Sequence, residues 1–78
     1  MELGSLDAET LAKKFWFASA GTLGGVWHAT ESVRFDEENG VQRVKFQATW
    51  TKDSPPRTYD IALAYNAPLI TSFTRLED

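Results

Sequence analysis

Residues 26–51 read VWHATESVRFDEENGVQRVKFQATWT, and this stretch decides the fold. Apolar and polar side chains alternate on both sides of Asn39-Gly40, which is typical of two half-buried strands joined by a tight turn. A two-residue turn at Asn39-Gly40 predicts a register that brings the apolar sets of both strands to one side of the sheet. The predicted opposed pairs on that side are Phe35–Val44, Val33–Phe46, Glu31–Ala48 and Ala29–Trp50, with Asp36–Arg43 and Arg34–Lys45 on the other side.

The segment before this hairpin predicts a helix over residues of about 6–19, with Ser5 as its N-cap. Five apolar residues recur at helical spacing on one face, which we predict to pack on the sheet: Ala8, Leu11, Ala12, Phe15 and Ala18. Glu9 and Lys13 form an i, i+4 ion pair in the favourable order. The glycine-rich residues 21–25 then end the helix and connect it to the first strand.

Beyond the hairpin, the Pro55-Pro56 pair marks a polar loop, because a proline cannot donate a hydrogen bond to a central strand pair. Alternation then resumes. The predicted strands cover residues of about 26–36, 41–51, 57–65 and 69–75. The sequence therefore predicts a single small α+β domain over residues 1–78. One N-terminal helix packs on one face of a three- to four-stranded antiparallel meander, in the order α-β-β-β-β.

Composition excludes several classes of protein. The chain has 78 residues, 42% of them hydrophobic, a net charge of -3 and no cysteine. This length holds one modest core and no second domain, and without cysteine there is no disulfide framework. No secretory leader and no apolar run long enough to span a membrane stands in the sequence. We therefore expect a soluble, cytoplasmic protein that does not enter a membrane.

The sequence contains no pattern of catalytic residues, so we predict that the protein is not an enzyme. His28, the single histidine, has no nucleophile or carboxylate at a spacing that predicts a shared site, and we expect it on the surface. One histidine with scattered carboxylates lacks metal-ligand spacing. The glycines of residues 21–25 follow a helix and precede no lysine, unlike a phosphate-binding loop. We predict no cofactor and no metal.

A first candidate site lies on the helix, where Phe15, Trp16 and Phe17 are consecutive and cannot all face the sheet. Trp16 and Phe17, with Lys13 beside them, form a candidate protein interface, because exposed aromatic side chains mark interfaces. The alternative is that Phe17 packs under the glycine-rich connector. Homodimerisation is a further prediction, since a mate can cover both an aromatic side chain and a strand edge.

A second candidate site is the polar sheet face carrying Arg34, Arg43 and Lys45, which suggests contacts with the phosphates of a nucleic acid. The alternative is an ordinary solvated sheet face, since no aromatic side chain falls there to stack on bases.

A third candidate is a small-ligand cleft between helix and sheet at Glu31, Trp50 and Tyr59, because the alternation places the Glu31 carboxylate among apolar side chains. The alternatives are a β-bulge that rotates Glu31 outwards, or an open sheet edge where it reaches solvent.

These observations favour a small non-catalytic protein–protein interaction module, which acts as an adaptor, inhibitor or regulator. Its predicted partner is another, unidentified protein or a second copy of itself. A nucleic-acid-binding module and a small-ligand cleft are the alternative functions.

Overall fold

The helix and strands follow the sequence pattern closely. The computed structural model describes residues 4–66 and 69–76. It has a helix, a short 3-10 turn and four strands: α1 (Ser5–Ser19), η1 (Gly21–Leu23), β1 (Val26–Asp36), β2 (Val41–Thr49), β3 (Arg57–Ala64) and β4 (Ile70–Leu76). Each boundary lies within two residues of the prediction. The N-cap prediction is wrong: Gly4 is the N-cap, and its carbonyl oxygen accepts the first helical hydrogen bond from the amide of Ala8 at 2.9 Å.

The four strands form one open antiparallel sheet in the order β1-β2-β3-β4. Consecutive strands are neighbours, as expected when short connections join them. Helix α1 lies on one face of the sheet, mainly over β1 and β2. The predicted fold class, α+β with the order α-β-β-β-β, is confirmed.

The predicted register of the β1–β2 hairpin is wrong by two residues. Val33 is opposite Val44 and Asp36 is opposite Val41, so four residues, 37–40, form the turn. A type I′ turn needs positive φ at both central residues, and only Gly40 has it, at 63°. Asp36 instead accepts hydrogen bonds from the backbone and the side-chain amide of Asn39, which stabilises the longer turn.

Strand β1 is interrupted twice. Its register with β2 shifts between Trp27 and Ala29 and again between Thr30 and Ser32, which leaves His28 and Glu31 without an opposed residue. Each shift is a β-bulge, and each reverses the alternation of side chains between the two faces. The sequence shows regular alternation through Glu31, whereas the structure turns Glu31 away from the core side.

The core is centred on one tryptophan of the helix. Ala8, Ala12, Trp16 and Ala20 recur at four-residue steps, and all four are fully buried. The predicted face of the helix is therefore right in part: Ala8 and Ala12 are buried, and Leu11 and Phe15 are partly buried and pack against the core. Ala18, which was also predicted to face the sheet, is exposed. The three alanines bring the helix close to the sheet, so that the large indole between them reaches the aromatic side chains of the strands.

Candidate functional site

Trp16 does not belong to an exposed interface, so its prediction as an interface residue is wrong. Its ring centroid lies 5.1 Å from those of Trp50 and Tyr59 and 5.4 Å from that of Phe46. Perpendicular and tilted ring pairs at these distances stabilise the fold by more than the burial of their apolar surface alone. Trp16 is the centre of the core.

The other two residues of the predicted helix interface are placed differently. Phe17 is 52% exposed. It lies beside Gly21 of the connector, close enough that a Cβ added to this glycine would be 3.6 Å from the Phe17 ring. Lys13 pairs with Glu9 at 3.8 Å, as predicted, and its ammonium group lies 5.8 Å from the ring centroid of Trp27. Once Trp16 is in the core, the helix offers a single exposed aromatic side chain here rather than a continuous patch.

The polar sheet face is a network of ion pairs. Arg43 donates a hydrogen bond from Nε to Oδ2 of Asp36 at 2.9 Å, and its Nη1 lies 3.5 Å from Oδ1 of Asp60. Lys45 Nζ lies 3.8 Å from Oε1 of Glu31. Two of the three predicted cations therefore have carboxylate partners, and a phosphate group would have to compete with them.

Asp36 is the most perturbed carboxylate described. Hydrogen bonds from the side chains of Asn39 and Arg43 lower its pKa from 3.8 to about 2. In return, the hydrogen bond to Asp36 raises the pKa of Arg43. The predicted Arg34–Lys45 opposition does not form, because the shifted register places Arg34 opposite Arg43. The carboxylates of Asp36 and Asp60 compensate this like-charge pair.

The three residues of the predicted cleft are not brought together. Glu31 is exposed, and the bulge directs its carboxylate to Lys45 on the face opposite the helix. Trp50 and Tyr59 both pack against Trp16 in the core. The β-bulge predicted as an alternative to a cleft is present in β1, between Thr30 and Ser32.

The single histidine makes one specific contact. His28 Nε2 lies 2.6 Å from the hydroxyl of Thr49 across the first bulge of β1. His28 is exposed, as expected, and its ring links the two strands.

In the part of the chain that the structure describes, no three His, Cys, Asp or Glu side chains are grouped closely enough to hold a metal ion. No helix among the same residues is long and apolar enough to cross a membrane.

The two outer strands differ in how their free edges are built. Strand β1 carries two bulges and the charged residues Glu31 and Arg34, which are features that protect an edge from pairing with another chain. Strand β4 has one irregularity, near Thr71, whose hydroxyl donates to the carbonyl oxygen of Ala62. The following residues, Ser72–Leu76, pair with β3 without interruption.

We call the outer side of Ser72–Leu76 the β4 edge. Within the described sheet, β4 has one neighbour, β3, so alternate residues of this segment direct their amide and carbonyl groups outwards. Arg75 is the single charged residue of β4, and the strand contains no proline. Helix α1 lies mainly over β1 and β2, and the rings of its Phe15 and Trp16 contact Phe73 of β4. The β4 edge is therefore regular and carries a single charged residue.

From the sequence, a strand edge was expected only as a surface that a second copy covers, whereas the helix aromatics were the candidate protein interface. The missed signal was the contrast in composition between the two outer strands, because β1 carries three charged residues, Glu31, Arg34 and Asp36, and β4 carries one. The bulges that complete this contrast appear only in the register.

Comparison of this chain with protein-family models, with curated proteins and with solved structures found no match.

Proposed function

We propose that this protein is a non-catalytic protein–protein interaction module that binds an extended strand at the β4 edge. The observation that carries the proposal is the uninterrupted pairing of Ser72–Leu76 beside a free edge, in a sheet whose other edge carries two bulges. In strand addition, backbone hydrogen bonds supply affinity and side chains on alternate positions supply specificity. The helix and the ion-paired sheet face offer less support for a binding surface.

The partner that this edge fits best is a second copy of the chain. Ser72–Leu76 has Thr74 at its centre, so two copies related by a two-fold axis at Thr74 pair over the whole regular segment. In that register Arg75 of one copy is opposite Phe73 of the other. Both residues lie on the helix side of the sheet, because they pair with Tyr59 and Ile61 of the core. A guanidinium beside an aromatic ring is a favourable pair.

The neighbouring self-pairing registers are less favourable. An axis at Arg75 would place two guanidinium groups opposite each other, and like charges in opposed positions destabilise strand pairing. An axis at Phe73 would bring the irregular Thr71 into the paired segment. A five-residue strand pair buries less than the roughly 1,200 Å² of a stable protein complex, so we expect a weak dimer that forms only at micromolar concentrations or above and dissociates on dilution.

Light scattering over a concentration series tests the proposal. Wild-type protein is expected to approach the mass of a dimer at high concentration. Thr74→Lys is expected to stay monomeric, because the axis would place the two new ammonium groups opposite each other. Within one chain this lysine lies beside Asp60, so the fold is retained. Ala18→Lys makes the same charge change at an exposed helix position and is expected to dimerise like wild type.

A mixing experiment then tests the position of the axis. Thr74→Glu alone is expected to be monomeric for the same reason, whereas an equimolar mixture with Thr74→Lys is expected to form heterodimers. Wild-type protein that stays monomeric up to millimolar concentration would overturn self-association. Dimers that form equally well in wild type and in Thr74→Lys would overturn the β4 edge as the interface.

A further inference from the structure

The tip of the β1–β2 hairpin holds a chemically labile pair of residues. Asn39 and Gly40 are exposed at the end of the four-residue turn. Gly40 has φ 63°, and a Cβ built on it would meet no atom within 4 Å. The backbone nitrogen of Gly40 directly follows Asn39 in the chain and can close a five-membered ring with the side-chain amide carbon of Asn39. Gly40 has no side chain to hinder the approach of this nitrogen to that carbon.

We propose that Asn39 is a site of spontaneous deamidation and that Asp36 controls its rate. The Gly40 backbone nitrogen attacks Cγ of Asn39, the new N–Cγ bond closes a five-membered succinimide, and the Cγ–Nδ2 bond breaks. Nδ2 leaves as ammonia with the proton that the Gly40 nitrogen loses. One water molecule then opens the ring at either carbonyl, which gives aspartate or isoaspartate at position 39. Water is the single co-reactant, and the reaction is independent of the β4 edge.

Asp36 holds Asn39 in its unreacted arrangement. Its Oδ2 accepts a hydrogen bond from Nδ2 of Asn39 at 2.8 Å, and its Oδ1 accepts one from the Asn39 backbone amide at 3.3 Å. These contacts restrict rotation of the Asn39 side chain, and a carboxylate bound to Nδ2 makes Cγ less electrophilic. Reaction therefore requires this hydrogen bond to open first. Loss of the Asp36 carboxylate should accelerate deamidation.

The product alters contacts on both sides of the turn. A carboxylate at position 39 cannot donate to Asp36 and instead repels it. The isoaspartate product also adds one carbon to the main chain within the turn. Gly40 lies next to this insertion, and its carbonyl oxygen accepts a hydrogen bond from the amide of Tyr65 at 2.9 Å. Deamidation therefore loosens the hairpin tip from the end of β3.

The chain carries its own control. Its second asparagine, Asn66, is also exposed, but alanine follows it, and the alanine side chain hinders the same attack. The experiment incubates the whole protein at neutral to mildly alkaline pH and measures amide-to-acid conversion at each asparagine by peptide mapping and mass spectrometry. A short peptide with the sequence of residues 36–43 gives the rate without the fold. Acid is expected at position 39 well before position 66, more slowly in the protein than in the peptide.

Two variants separate the contact with Asp36 from general loosening of the hairpin. Asp36→Ala is expected to deamidate at least about threefold faster than wild type. This factor corresponds to the free energy of one hydrogen bond at an exposed site. Arg43→Gln removes the ion pair but keeps the Asp36–Asn39 contact, and its rate is expected to match wild type. Circular dichroism checks that both variants are folded.

Three results would overturn the proposal. The first is a protein that shows no conversion at position 39 after the peptide has reacted completely. The second is conversion at position 66 as fast as at position 39. The third is a folded Asp36→Ala variant that reacts no faster than wild type. If Asp36→Ala does not fold, Asp36→Asn, which removes the charge, takes its place and is expected to react faster than Arg43→Gln.

Discussion

Gly25 lies against the carbonyl oxygen of Trp50 so closely that a Cβ on this glycine would come to 2.6 Å from it. The same Cβ would lie 2.8 Å from both the Cβ and the carbonyl oxygen of Ala20. The Gly25 amide donates a hydrogen bond to that Ala20 oxygen at 2.8 Å. This close approach joins the end of helix α1 to the start of β1 and to the residue that follows β2.

Gly25→Ala should therefore destabilise the protein strongly. The opposing atoms belong mainly to the backbone, so no side chain can rotate away, and we expect a loss of about 3 kcal/mol in the free energy of unfolding. Gly21→Ala is the matched control, because its Cβ would make an ordinary 3.6 Å contact with Phe17. We expect that control to be neutral or to stabilise by about 0.5 kcal/mol. Urea denaturation followed by circular dichroism measures both, and equal losses in the two variants would contradict the packing argument.

The burial of Trp16 predicts a large difference between adjacent residues. Trp16→Ala should lower the free energy of unfolding by about 3–5 kcal/mol, because it leaves a cavity among four aromatic rings. Phe17→Ala should change it by less than about 1 kcal/mol, since that ring is half exposed. A domain of this size is stable by roughly 4–12 kcal/mol, so Trp16→Ala is at the limit of folding.

Trp16→Phe provides a version of this test that keeps the fold. The indole Nε1 is buried and has no hydrogen-bond partner among the described residues. Phenylalanine removes this uncompensated group together with part of the ring, so we expect a smaller loss than for alanine, of about 1–2 kcal/mol. Urea denaturation ranks the three variants. A loss for Phe17→Ala as large as for Trp16→Ala would mean that the core is centred elsewhere.

The bounds of the helix and strands could be predicted because local signals determine them. Alternation begins at Val26 and ends at Asp36, and the glycines and prolines between elements interrupt it. The register could not be predicted in the same way. It depends on the contact of the Asp36 side chain with Asn39, which stabilises a longer turn, and on two bulges in β1. The bulges leave no pattern in the alternation of apolar and polar residues.

The helix face could be predicted only in part, for a related reason. The sequence offers two overlapping apolar stripes, one through Leu11 and Phe15 and one through Ala12 and Trp16. Hydrophobicity favours the first stripe, whereas close packing favours the second, because small residues let a helix approach a sheet. Because the second stripe faces the sheet, Trp16 is buried and cannot belong to the predicted protein interface. The charge contrast between the outer strands stands in the sequence, but only the pairing pattern shows that β4 has a regular edge.

The bulge at Glu31 predicts that its charge matters little for stability. The Glu31–Lys45 pair is 3.8 Å apart, and about a third or more of each side chain is exposed. Exposed pairs of this kind contribute about 0–1 kcal/mol. Glu31→Gln should therefore change the free energy of unfolding by no more than about 0.5 kcal/mol in chemical denaturation at neutral pH. A gain of several kcal/mol would show instead that the carboxylate is buried among apolar side chains.

The hydrogen bonds to Asp36 predict a loss of stability in acid. Its pKa in the folded protein is about 2, below the 3.8 expected for a free carboxyl, so the folded state favours the ionised form. The resulting stabilisation is complete above the pKa of the unfolded chain and disappears as the pH falls from about 5 towards 2. Asp36→Asn removes this titration, so its unfolding midpoint in urea should fall less steeply over that range than that of wild type. Asp53→Asn, at an exposed loop residue, is the control and should follow the wild-type curve. Parallel curves for wild type and Asp36→Asn would show that the contacts with Asn39 and Arg43 do not stabilise the folded state.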